Sequence, residues 1–446
     1  MPISAKKSGP FCGEIITPGD KSISHPALIF GAMARGTTSI SGLLEGEDVM
    51  ATGDAVAAMG AEVARDGVGK YTVTGVGQYG LRDPAAPLDL GNSGTGARLL
   101  MGLVAGQGLS ASFDGDASLR SRPMGRVLVP LENMGARVSG AAENYRLPLM
   151  LSGSVPAIPI DYPMPVASAQ VKSAILLAGL GAIGTTIVRE RHPTRDHTER
   201  MLAHFGADID IGQEGEDTII RVSGKNPLSG REILVPGDPS SAAFPLAAAL
   251  LAPGSDLLLP GIMINPTRAG LLTTLLEMGA EIAFLNERDA GGEPVADLHV
   301  KASALRGIEV PAARAPSMID EYPILAILAA AATGTTIMRG LSELRVKESD
   351  RLEAVLDGLR VNGVAARADG DDLIVEGCGS GAEIPGGGIV ATHMDHRIAM
   401  SFLVMGLVSN APVTIDSAEM IATSFPDFIG SMRALGACIE EGDTGS

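Results

Sequence analysis

The stretch PGDKSISH, residues 18–25, decides how the rest of the chain is interpreted. It follows a β-like run and leads into an apolar segment, so it predicts a turn that opens a helix. Free N–H groups at a helix start, beside the Lys21 ammonium and the Ser22 hydroxyl, would attract an anion. Ser and Asp also cap ordinary helices, so this stretch alone fits either an anion site or a simple cap. The echo PGDPSS at residues 236–241, which also leads into an apolar run, favours the anion site.

A second short pattern recurs along the whole chain: an apolar or Asn residue, then Gly, then a small residue. Its glycines are spaced by 71 to 84 residues and lie at Gly60, Gly135, Gly206, Gly279, Gly363 and Gly436. Each closes an amphipathic helix, since Gly readily adopts the left-handed conformation that ends a helix. An earlier and more apolar helix, typical of a buried one, begins near Ser22, Gly94, Ala169, Ser240, Ile319 and Asp395. The pattern predicts six repeated units, each with a strand, a buried helix, a strand, an outer helix and two strands.

The two PGD turns divide these units into halves. Three units occupy residues 19–235, and three occupy residues 236–446. We therefore predict two α/β domains, with the N-terminal strand in residues 1–18 completing the second one. Two such lobes leave a cleft between them, where ligand sites are common, so we expect the active site there.

Composition narrows the class of protein. A net charge of −18 over 446 residues argues against nucleic acid or an anionic membrane as a partner. The three cysteines are widely spaced, which favours thiols in a reducing compartment. The longest apolar run is too short to cross a bilayer, and the N-terminus lacks the apolar core of a secretory signal. We expect a cytoplasmic monomer.

Polar and charged side chains gather at the predicted helix starts. The first half has Lys21, Ser22, Asn92, Gly94, Arg98, Arg122, Ser168, Ala169, Gln170 and Arg195, and the second has Asp320, Glu321, Lys347, Glu348, Arg351, Asp395, His396 and Arg397. Lys347 and Arg351 are four residues apart, so on a helix they would share a face and repel unless an anion lay between them. The cations indicate two anionic groups, at least one of them phosphate. Asp320, Glu348 and His396 would supply acid–base capacity.

Simpler interpretations remain open for several of these residues. Arg98 and Arg122 fit structural ion pairs, Ser168 and Gln170 fit turns or caps, and Asp320 fits a cap. A metal site at residues 393–396 is disfavoured because Arg397 would repel a cation. The segment 91–96 lacks the GK[ST] ending of a nucleotide-binding P-loop.

Eight segments, in order, resemble the 5-enolpyruvylshikimate-3-phosphate (EPSP) synthase family. They are PGDKSIS, GNSGTGAR, SLRSRPMGR, ASAQVKS, TRDHTER, PSMIDEYP, RVKESDR and DHRIAMS, and they cover essentially the whole chain. The resemblance, within which the class II type is most similar, implies a two-domain inside-out α/β barrel of six βαβαββ units. It also implies transfer of the carboxyvinyl group of phosphoenolpyruvate to the 5-hydroxyl of shikimate 3-phosphate, with glyphosate as an inhibitor and without a metal or other cofactor.

The resemblance also implies roles for individual residues. Asp320, Glu348 and Lys21 would be catalytic, with Asp320 taking the hydroxyl proton and Glu348 moving a proton at the enol carbon. Shikimate 3-phosphate would contact Lys21, Ser22, Ser168, Ala169, Gln170, Arg195, Asp320 and Lys347. Phosphoenolpyruvate would contact Lys21, Gly94, Arg122, Gln170, Lys347, Arg351, His396 and Arg397. We expect closure of the two lobes over both substrates to bring these cations together.

Three positions depart from patterns common in the family. Pro26 stands where the family usually has an Arg that contacts shikimate. We expect proline to be tolerated in the first helical turn, but it supplies no charge, so we predict weakened binding of shikimate 3-phosphate. Thr423 stands where many members have Lys, and Gly94 stands where some glyphosate-tolerant members have Ala. The related UDP-N-acetylglucosamine enolpyruvyl transferases usually carry a Cys in the loop at 118–122, where this chain has none. That family and a non-catalytic binding protein of the same fold are the alternatives. The RNA 3′-phosphate cyclases share the repeated unit, but the net charge of −18 disfavours their nucleotide chemistry.

Overall fold

The structure, a computed structural model, describes residues 1–379 and 384–441. Within these residues the chain forms six four-stranded sheets, which confirms the prediction of six repeated units. It divides into two compact units. Unit 1 comprises Met1–Pro18, Pro236–Asp289 and Pro294–Ser446, and unit 2 comprises Gly19–Val235 and Ala290–Glu293.

Unit 2 is built from three sheets and seven helices within the described residues. Its strands are β3 (Arg35–Ser41), β4 (Glu62–Gly67), β5 (Lys70–Val76), β6 (Leu88–Asp89), β7 (Ser110–Asp114), β8 (Arg137–Ser139), β9 (Leu149–Ser152), β10 (Asp161–Pro163), β11 (Thr185–Glu190), β12 (Asp208–Glu214), β13 (Asp217–Ser223) and β14 (Glu232–Leu234). Its helices are α1 (Lys21–Met33), α2 (Glu47–Ala58), α3 (Gly94–Gln107), α4 (Ala117–Ser121), α5 (Gly125–Asn133), α6 (Ala169–Gly179) and α7 (His197–His204). The sheet orders are β14-β3-β5-β4, β6-β7-β9-β8 and β10-β11-β13-β12.

Unit 1 repeats this plan with both ends of the chain. Its strands are β1 (Ile3–Lys6), β2 (Cys12–Glu14), β15 (Asp256–Met263), β16 (Glu281–Ala290), β17 (Glu293–Lys301), β18 (Glu309–Val310), β19 (Thr335–Met338), β20 (Ala366–Asp369), β21 (Asp372–Glu376), β22 (Ile389–Val390), β23 (Val413–Ile415) and β24 (Cys438–Glu441). Its helices are α8 (Pro239–Leu251), α9 (Gly270–Glu277), α10 (Tyr322–Ala331), α11 (Arg351–Val361), α12 (His396–Gly406) and α13 (Phe428–Ala434). The sheet orders are β2-β15-β17-β16, β18-β19-β21-β20 and β22-β23-β1-β24.

Strands distant in sequence complete the first and last sheets. β14 pairs parallel with β3, and β2 pairs parallel with β15. β1 lies antiparallel between β23 and β24, with Ile3 opposite Ile415 and Glu441. In every sheet the first two strands in the order above are parallel and the next pair is antiparallel. Each four-stranded layer is therefore the same supersecondary unit.

The apolar helices form the centre of each unit. In unit 2, α3 packs against α1 and α6, and in unit 1 α8, α10 and α12 pack against one another. All residues of α8 and α10 are buried, which explains why their sequences are apolar on every face. The outer helices bury one face only, as in α5 and α11. No helix in the described parts of the chain is both long enough and apolar enough to span a bilayer.

The repeated glycines end the outer helices, as predicted. Gly60, Gly135, Gly206, Gly279, Gly363 and Gly436 each follow the C-cap residue and have φ between 77° and 108°. A side chain there would strain the backbone, which accounts for the recurrence. The predicted start of the fifth buried helix was wrong: α10 begins at Tyr322, so Ile319 and Asp320 precede it in a turn.

Candidate active site

Lys21 is held at the first turn of α1 by an ion pair. Asp20 caps this helix, since its Oδ1 accepts a hydrogen bond from the Ile23 N–H at 3.1 Å. The Lys21 ammonium, on a side chain that is 28% exposed, pairs with the carboxylate of Asp48 in the first turn of α2. Ser22 is half-buried beside it. A partly exposed cation therefore stands at a helix N-terminus, which suits an anion. Sequence reasoning missed Asp48, because an acidic residue in the first turn of a helix usually faces solvent.

Pro26 lies in the second turn of α1, so the expectation that it sits in the first turn was wrong. It cannot donate to the carbonyl of Ser22, because proline has no N–H. The helix nevertheless continues to Met33, and Pro26 is buried. The position that carries Arg in the resembling family thus holds an apolar ring in a helix.

Gly94 begins α3 between two guanidinium groups. Ser93 caps the helix by accepting from the Gly96 N–H at 3.2 Å. Arg122 donates from Nη2 to Asn92 Oδ1 at 2.5 Å and to Ser118 Oγ at 3.1 Å. A methyl group added to Gly94 would lie 2.9 Å from Arg98 Nη1 and 3.1 Å from Arg122 Nη1. Because Gly94 has no side chain, the backbone at the N-terminus of α3 lies directly beside the guanidinium groups of Arg98 and Arg122.

The start of α6 joins this region. Ser168 caps α6 by accepting from the Val171 N–H at 3.4 Å. Gln170 donates from Nε2 to Thr95 Oγ1 at 2.9 Å, which links α6 to the residue after Gly94. Ser168, Ala169 and Gln170 are all partly exposed. Arg195, also partly exposed, lies in the loop between β11 and α7.

In unit 1, Asp320 is the anion on which two cations converge. Its Oδ1 lies 3.4 Å from Lys347 Nζ and 3.1 Å from Arg351 Nη1. The Arg351 side chain is only 1% exposed and also donates to Asp395 Oδ2 at 2.7 Å and to Glu348 Oε2 at 2.6 Å. One buried guanidinium therefore orients three carboxylates, and Lys347 remains 26% exposed.

Lys347 and Arg351 do not share a helix face, so that prediction was wrong. Lys347 ends a 3₁₀ helix formed by Ser342–Val346 and has an extended backbone. Asp350 caps α11, which begins only at Arg351. The two cations still approach one another, and the anion between them is the protein's own Asp320 carboxylate.

The charges around Glu348 hold it ionised. Desolvation by the surrounding protein acts to raise the pKa of Glu348, but the positive charges of Arg351 and Lys347 outweigh it and leave the pKa well below its usual range. Its side chain is 36% exposed, so its carboxylate remains open to a ligand. Burial, reinforced by Arg397, lowers the pKa of His396 to about 4. At neutral pH Glu348 is thus a base, and His396 is a neutral hydrogen-bonding group.

The second PGD turn, unlike the first, is occupied by charged side chains of the protein itself. Asp238 caps α8, and its Oδ1 accepts from buried Arg268 Nη2 at 3.0 Å. The adjoining Ser240 hydroxyl donates to Glu321 Oε1 and accepts from Arg268 Nη2 at 2.9 Å. Glu321 is 2% exposed and lies 4.0 Å from Arg397 Nη1. The carboxylates of Asp238 and Glu321 occupy this turn, and Glu321 also forms an ion pair with Arg397. Sequence reasoning gave Glu321 no role.

Arg397 itself follows the cap of α12. Asp395 accepts from the Arg397 N–H at 2.9 Å, and Arg397 Nη1 is 3.4 Å from the Asp320 carbonyl. Its side chain is 14% exposed. Thr423, where many family members have Lys, adds no charge. It ends the 3₁₀ helix Glu419–Thr423, and its hydroxyl donates to the Met420 carbonyl at 2.7 Å.

One group of described residues, in unit 2, has the spacing of a metal site. Single ligand atoms from Asp196, His197 and Glu293 lie within 4.8 Å of one another. His197 Nδ1 is 2.8 Å from Glu293 Oε1, and Asp196 accepts from Arg200 Nε at 2.7 Å. Hydrogen bonds and an ion pair account for these contacts, so we assign no metal to the group.

Comparison with known proteins matches the whole chain to one family. The family model for EPSP synthase (3-phosphoshikimate 1-carboxyvinyltransferase) matches residues 5–432. A 3-phosphoshikimate 1-carboxyvinyltransferase from Methylorubrum populi is 59% identical over 99% of this chain and 98% of its own length. One from Afipia carboxidovorans is 62% identical over 98% of both chains. The solved EPSP synthase of Acinetobacter baumannii is 46% identical, with a TM-score of 0.90 over 98% of this chain and 99% of its own. The chain belongs to the EPSP synthase family.

Proposed function

We propose that this enzyme transfers the carboxyvinyl group of phosphoenolpyruvate to the 5-hydroxyl of shikimate 3-phosphate and releases phosphate. The observation that carries the proposal is the cluster in unit 1, where Asp320 and Glu348 are both hydrogen-bonded to Arg351. It pairs two carboxylates suited to proton transfer with the cations that an anionic substrate requires. Family membership over the whole chain identifies the reaction to which such a cluster belongs.

In this proposal each substrate is bound by its own set of residues. Shikimate 3-phosphate contacts Lys21, Ser22, Ser168, Ala169, Gln170, Arg195, Asp320 and Lys347. Phosphoenolpyruvate contacts Lys21, Gly94, Arg122, Gln170, Lys347, Arg351, His396 and Arg397. The partial exposure of Lys21, Arg122 and Lys347 supports these roles, since each already sits in a fixed hydrogen-bonded position. Arg351 is buried under three carboxylates and acts mainly by holding them.

The chemistry has two stages. In the first, the 5-hydroxyl oxygen bonds to C2 of phosphoenolpyruvate, its proton passes to Asp320, and C3 gains a proton. In the second, the C2–O bond to phosphate breaks, phosphate leaves, and C3 loses a proton to restore the double bond. The Lys347 and Arg351 charges beside Asp320 stabilise the ionised base and the developing negative charge.

Glu348 changes its charge during this sequence. Before substrate binds, neighbouring cations keep its pKa below the usual range despite burial. Phosphoenolpyruvate brings negative charge to those cations, which raises the pKa of a nearby carboxylate. Glu348 then takes up a proton for delivery to C3 and recovers it in the elimination stage. The imidazole of His396 is neutral at this pH and adds no charge.

A phosphate-release assay tests the function. Purified enzyme with phosphoenolpyruvate should release phosphate only when shikimate 3-phosphate is added, and the product should contain one enolpyruvyl ether. Replacing shikimate 3-phosphate with UDP-N-acetylglucosamine distinguishes the other enolpyruvyl transferase. Release supported by the nucleotide sugar, or binding of both substrates without release, would contradict the proposal.

Pro26→Arg should strengthen shikimate 3-phosphate binding. The substitution adds a guanidinium next to the Lys21 helix start and restores an N–H facing the Ser22 carbonyl. A charge-assisted hydrogen bond contributes roughly 1.5–3 kcal/mol, so the KM for this substrate should fall by about tenfold or more. Pro26→Gln, which restores the N–H without the charge, is the matched control. Equal KM values in Pro26→Arg and the parent would refute the assignment of this position.

Gly94→Ala should weaken inhibition by glyphosate, which we propose as a ligand of the phosphoenolpyruvate site. The new methyl group would lie 3.1 Å from Arg122 Nη1 and 2.9 Å from Arg98 Nη1, so these flexible ends must move by a few tenths of an ångström. We expect the inhibition constant for glyphosate to rise more than the KM for phosphoenolpyruvate, because the methyl group would crowd bound glyphosate more than bound phosphoenolpyruvate. Steady-state inhibition of both proteins measures the ratio. An unchanged ratio would exclude the steric account.

We also propose that the enzyme is a cytoplasmic monomer. None of the three cysteines forms a disulfide within the described residues, as expected in a reducing compartment. Size-exclusion chromatography with light scattering tests whether the protein is a monomer, and a mass of twice 45.6 kDa would contradict that proposal.

A further inference from the structure

A buried ammonium joins two elements of the proposed phosphate site. Lys172 lies in α6, and its side chain is 1% exposed. Its Nζ is 2.6 Å from Glu199 Oε1 and 3.0 Å from Glu190 Oε2, and both carboxylates are 2% exposed. Glu190 ends β11, and Glu199 lies in the first turn of α7. The proposed mechanism uses none of these three residues.

Stability alone does not explain this group. Removing charges from water costs several kcal/mol per ion, and apolar residues of similar volume are often at least as stabilising. The group also carries one carboxylate more than it has ammonium groups. Burial raises the pKa of Glu199 although Lys172 opposes this, and its Oε2 has no hydrogen-bond partner within the described residues. Such an arrangement suits a role in specifying geometry.

The contacts of Lys172 reach the residue before Arg195. Lys172 Nζ lies 3.5 Å from the Thr194 carbonyl, and Thr194 Oγ1 donates to Glu190 Oε1 at 2.5 Å. Lys172 is also four residues beyond Ser168, and its N–H donates to the Ser168 carbonyl at 3.1 Å. The backbone N–H of Lys172 thus makes an ordinary helical bond in the first turn of α6. Its side chain links α6 to the loop that carries Arg195.

A second buried contact ties the same elements together. Ser173 Oγ in α6 lies 2.7 Å from Thr198 Oγ1 in the first turn of α7. Both side chains are buried. The α6–α7 junction is thus held by adjacent residues of α6, and the loop between β11 and α7 is fixed at both ends.

We propose that Lys172 is a positioning residue for shikimate 3-phosphate: through Glu190, Glu199 and the Thr194 carbonyl it sets the loop of Arg195 against the N-terminus of α6, so that Arg195 and Ser168 engage one phosphate. This inference rests on the proposed function. It predicts an effect on one substrate only, because the ion pairs and hydrogen bonds of the Lys172 side chain among the described residues go to Glu190, Glu199 and Thr194 and not to Arg122.

The test uses a triple variant, Lys172→Met with Glu190→Gln and Glu199→Gln, which removes the ammonium without leaving buried charges. We expect the KM for shikimate 3-phosphate to rise by about tenfold or more, as for the loss of a charge-assisted contact, while the KM for phosphoenolpyruvate and kcat at saturation stay within about twofold. Lys172→Arg should retain most of the parental affinity. Lys225→Met removes an exposed lysine of the same unit and should change neither constant.

Thr194→Val gives an independent readout if the triple variant does not fold. It removes the hydrogen bond to Glu190 and leaves the Lys172 ion pairs intact. We expect a severalfold rise in the KM for shikimate 3-phosphate alone. A parental KM for that substrate in a folded variant would overturn the inference, and so would equal rises for both substrates. Failure of the parent to release phosphate would instead refute the proposed function.

Discussion

Replacing Asp320 with Asn should reduce kcat by about 10²–10⁴-fold, the usual contribution of a general base. The amide keeps the shape of the carboxylate but cannot accept the hydroxyl proton. It also removes the negative charge on which Lys347 Nζ and Arg351 Nη1 converge, at 3.4 Å and 3.1 Å. The two cations then repel one another, so we expect the affinity for anionic substrates to be kept or increased while turnover falls.

Single-turnover and steady-state kinetics separate these effects. Asp357→Asn, which alters an exposed carboxylate on the outer helix α11, is the matched control and should retain parental kcat. Turnover within about fivefold of the parent in Asp320→Asn would show that another group takes the proton.

Replacing Arg351 with Met should destabilise unit 1 by about 3–5 kcal/mol at neutral pH, the range observed when one partner of a buried ion pair is removed. The side chain is 1% exposed and is bonded to Asp320, Glu348 and Asp395, which would be left without their shared cation. For a unit of this size the unfolding midpoint should fall by roughly 6–20 °C. Arg360→Met, on the exposed side of the same helix, should shift the free energy of unfolding by no more than about 0.5 kcal/mol.

The deficit of Arg351→Met should depend on pH. Burial tends to raise the pKa of Asp395 and of Glu348, but the charge of Arg351 lowers both below their usual values. A depressed folded-state pKa stabilises the protein fully above the unfolded pKa of about 4, and this stabilisation is lost as the pH falls through the folded value. The variant lacks this contribution, so its deficit should be largest at neutral pH and shrink below about pH 4. Calorimetry across this range measures the trend, and a deficit independent of pH would contradict the electrostatic account.

The repeated architecture could be predicted because its signals are local. Each outer helix must end on a residue that tolerates positive φ, and a glycine at intervals of 71 to 84 residues marks that need six times. The buried helices α8 and α10 are apolar on all faces because every residue in them is buried. The pairing of β1 with β23 and β24 has no such local signal, since it joins strands more than 400 residues apart.

The errors at the site have one physical source, which is that partners are set by tertiary structure. A spacing of four suggested a shared helix face for Lys347 and Arg351, but Lys347 has an extended backbone and α11 begins only at Arg351, after its cap Asp350. The PGD turns look alike in sequence, yet Arg268 and Glu321 fill the second one from elsewhere in unit 1. Sequence analysis gave Lys172 no role, although a lysine within an otherwise apolar helix indicates a buried partner.

The KM for phosphoenolpyruvate in two single variants, Arg122→Gln in unit 2 and Arg397→Gln in unit 1, tests the central claim most directly. That claim is that Arg122 and Arg397, both assigned to phosphoenolpyruvate in the proposed function, each bind this substrate. The account predicts that each variant raises this KM by about tenfold or more, as expected for the loss of a charge-assisted contact. A rise in only one of the two variants, with parental kinetics in the other, would contradict it.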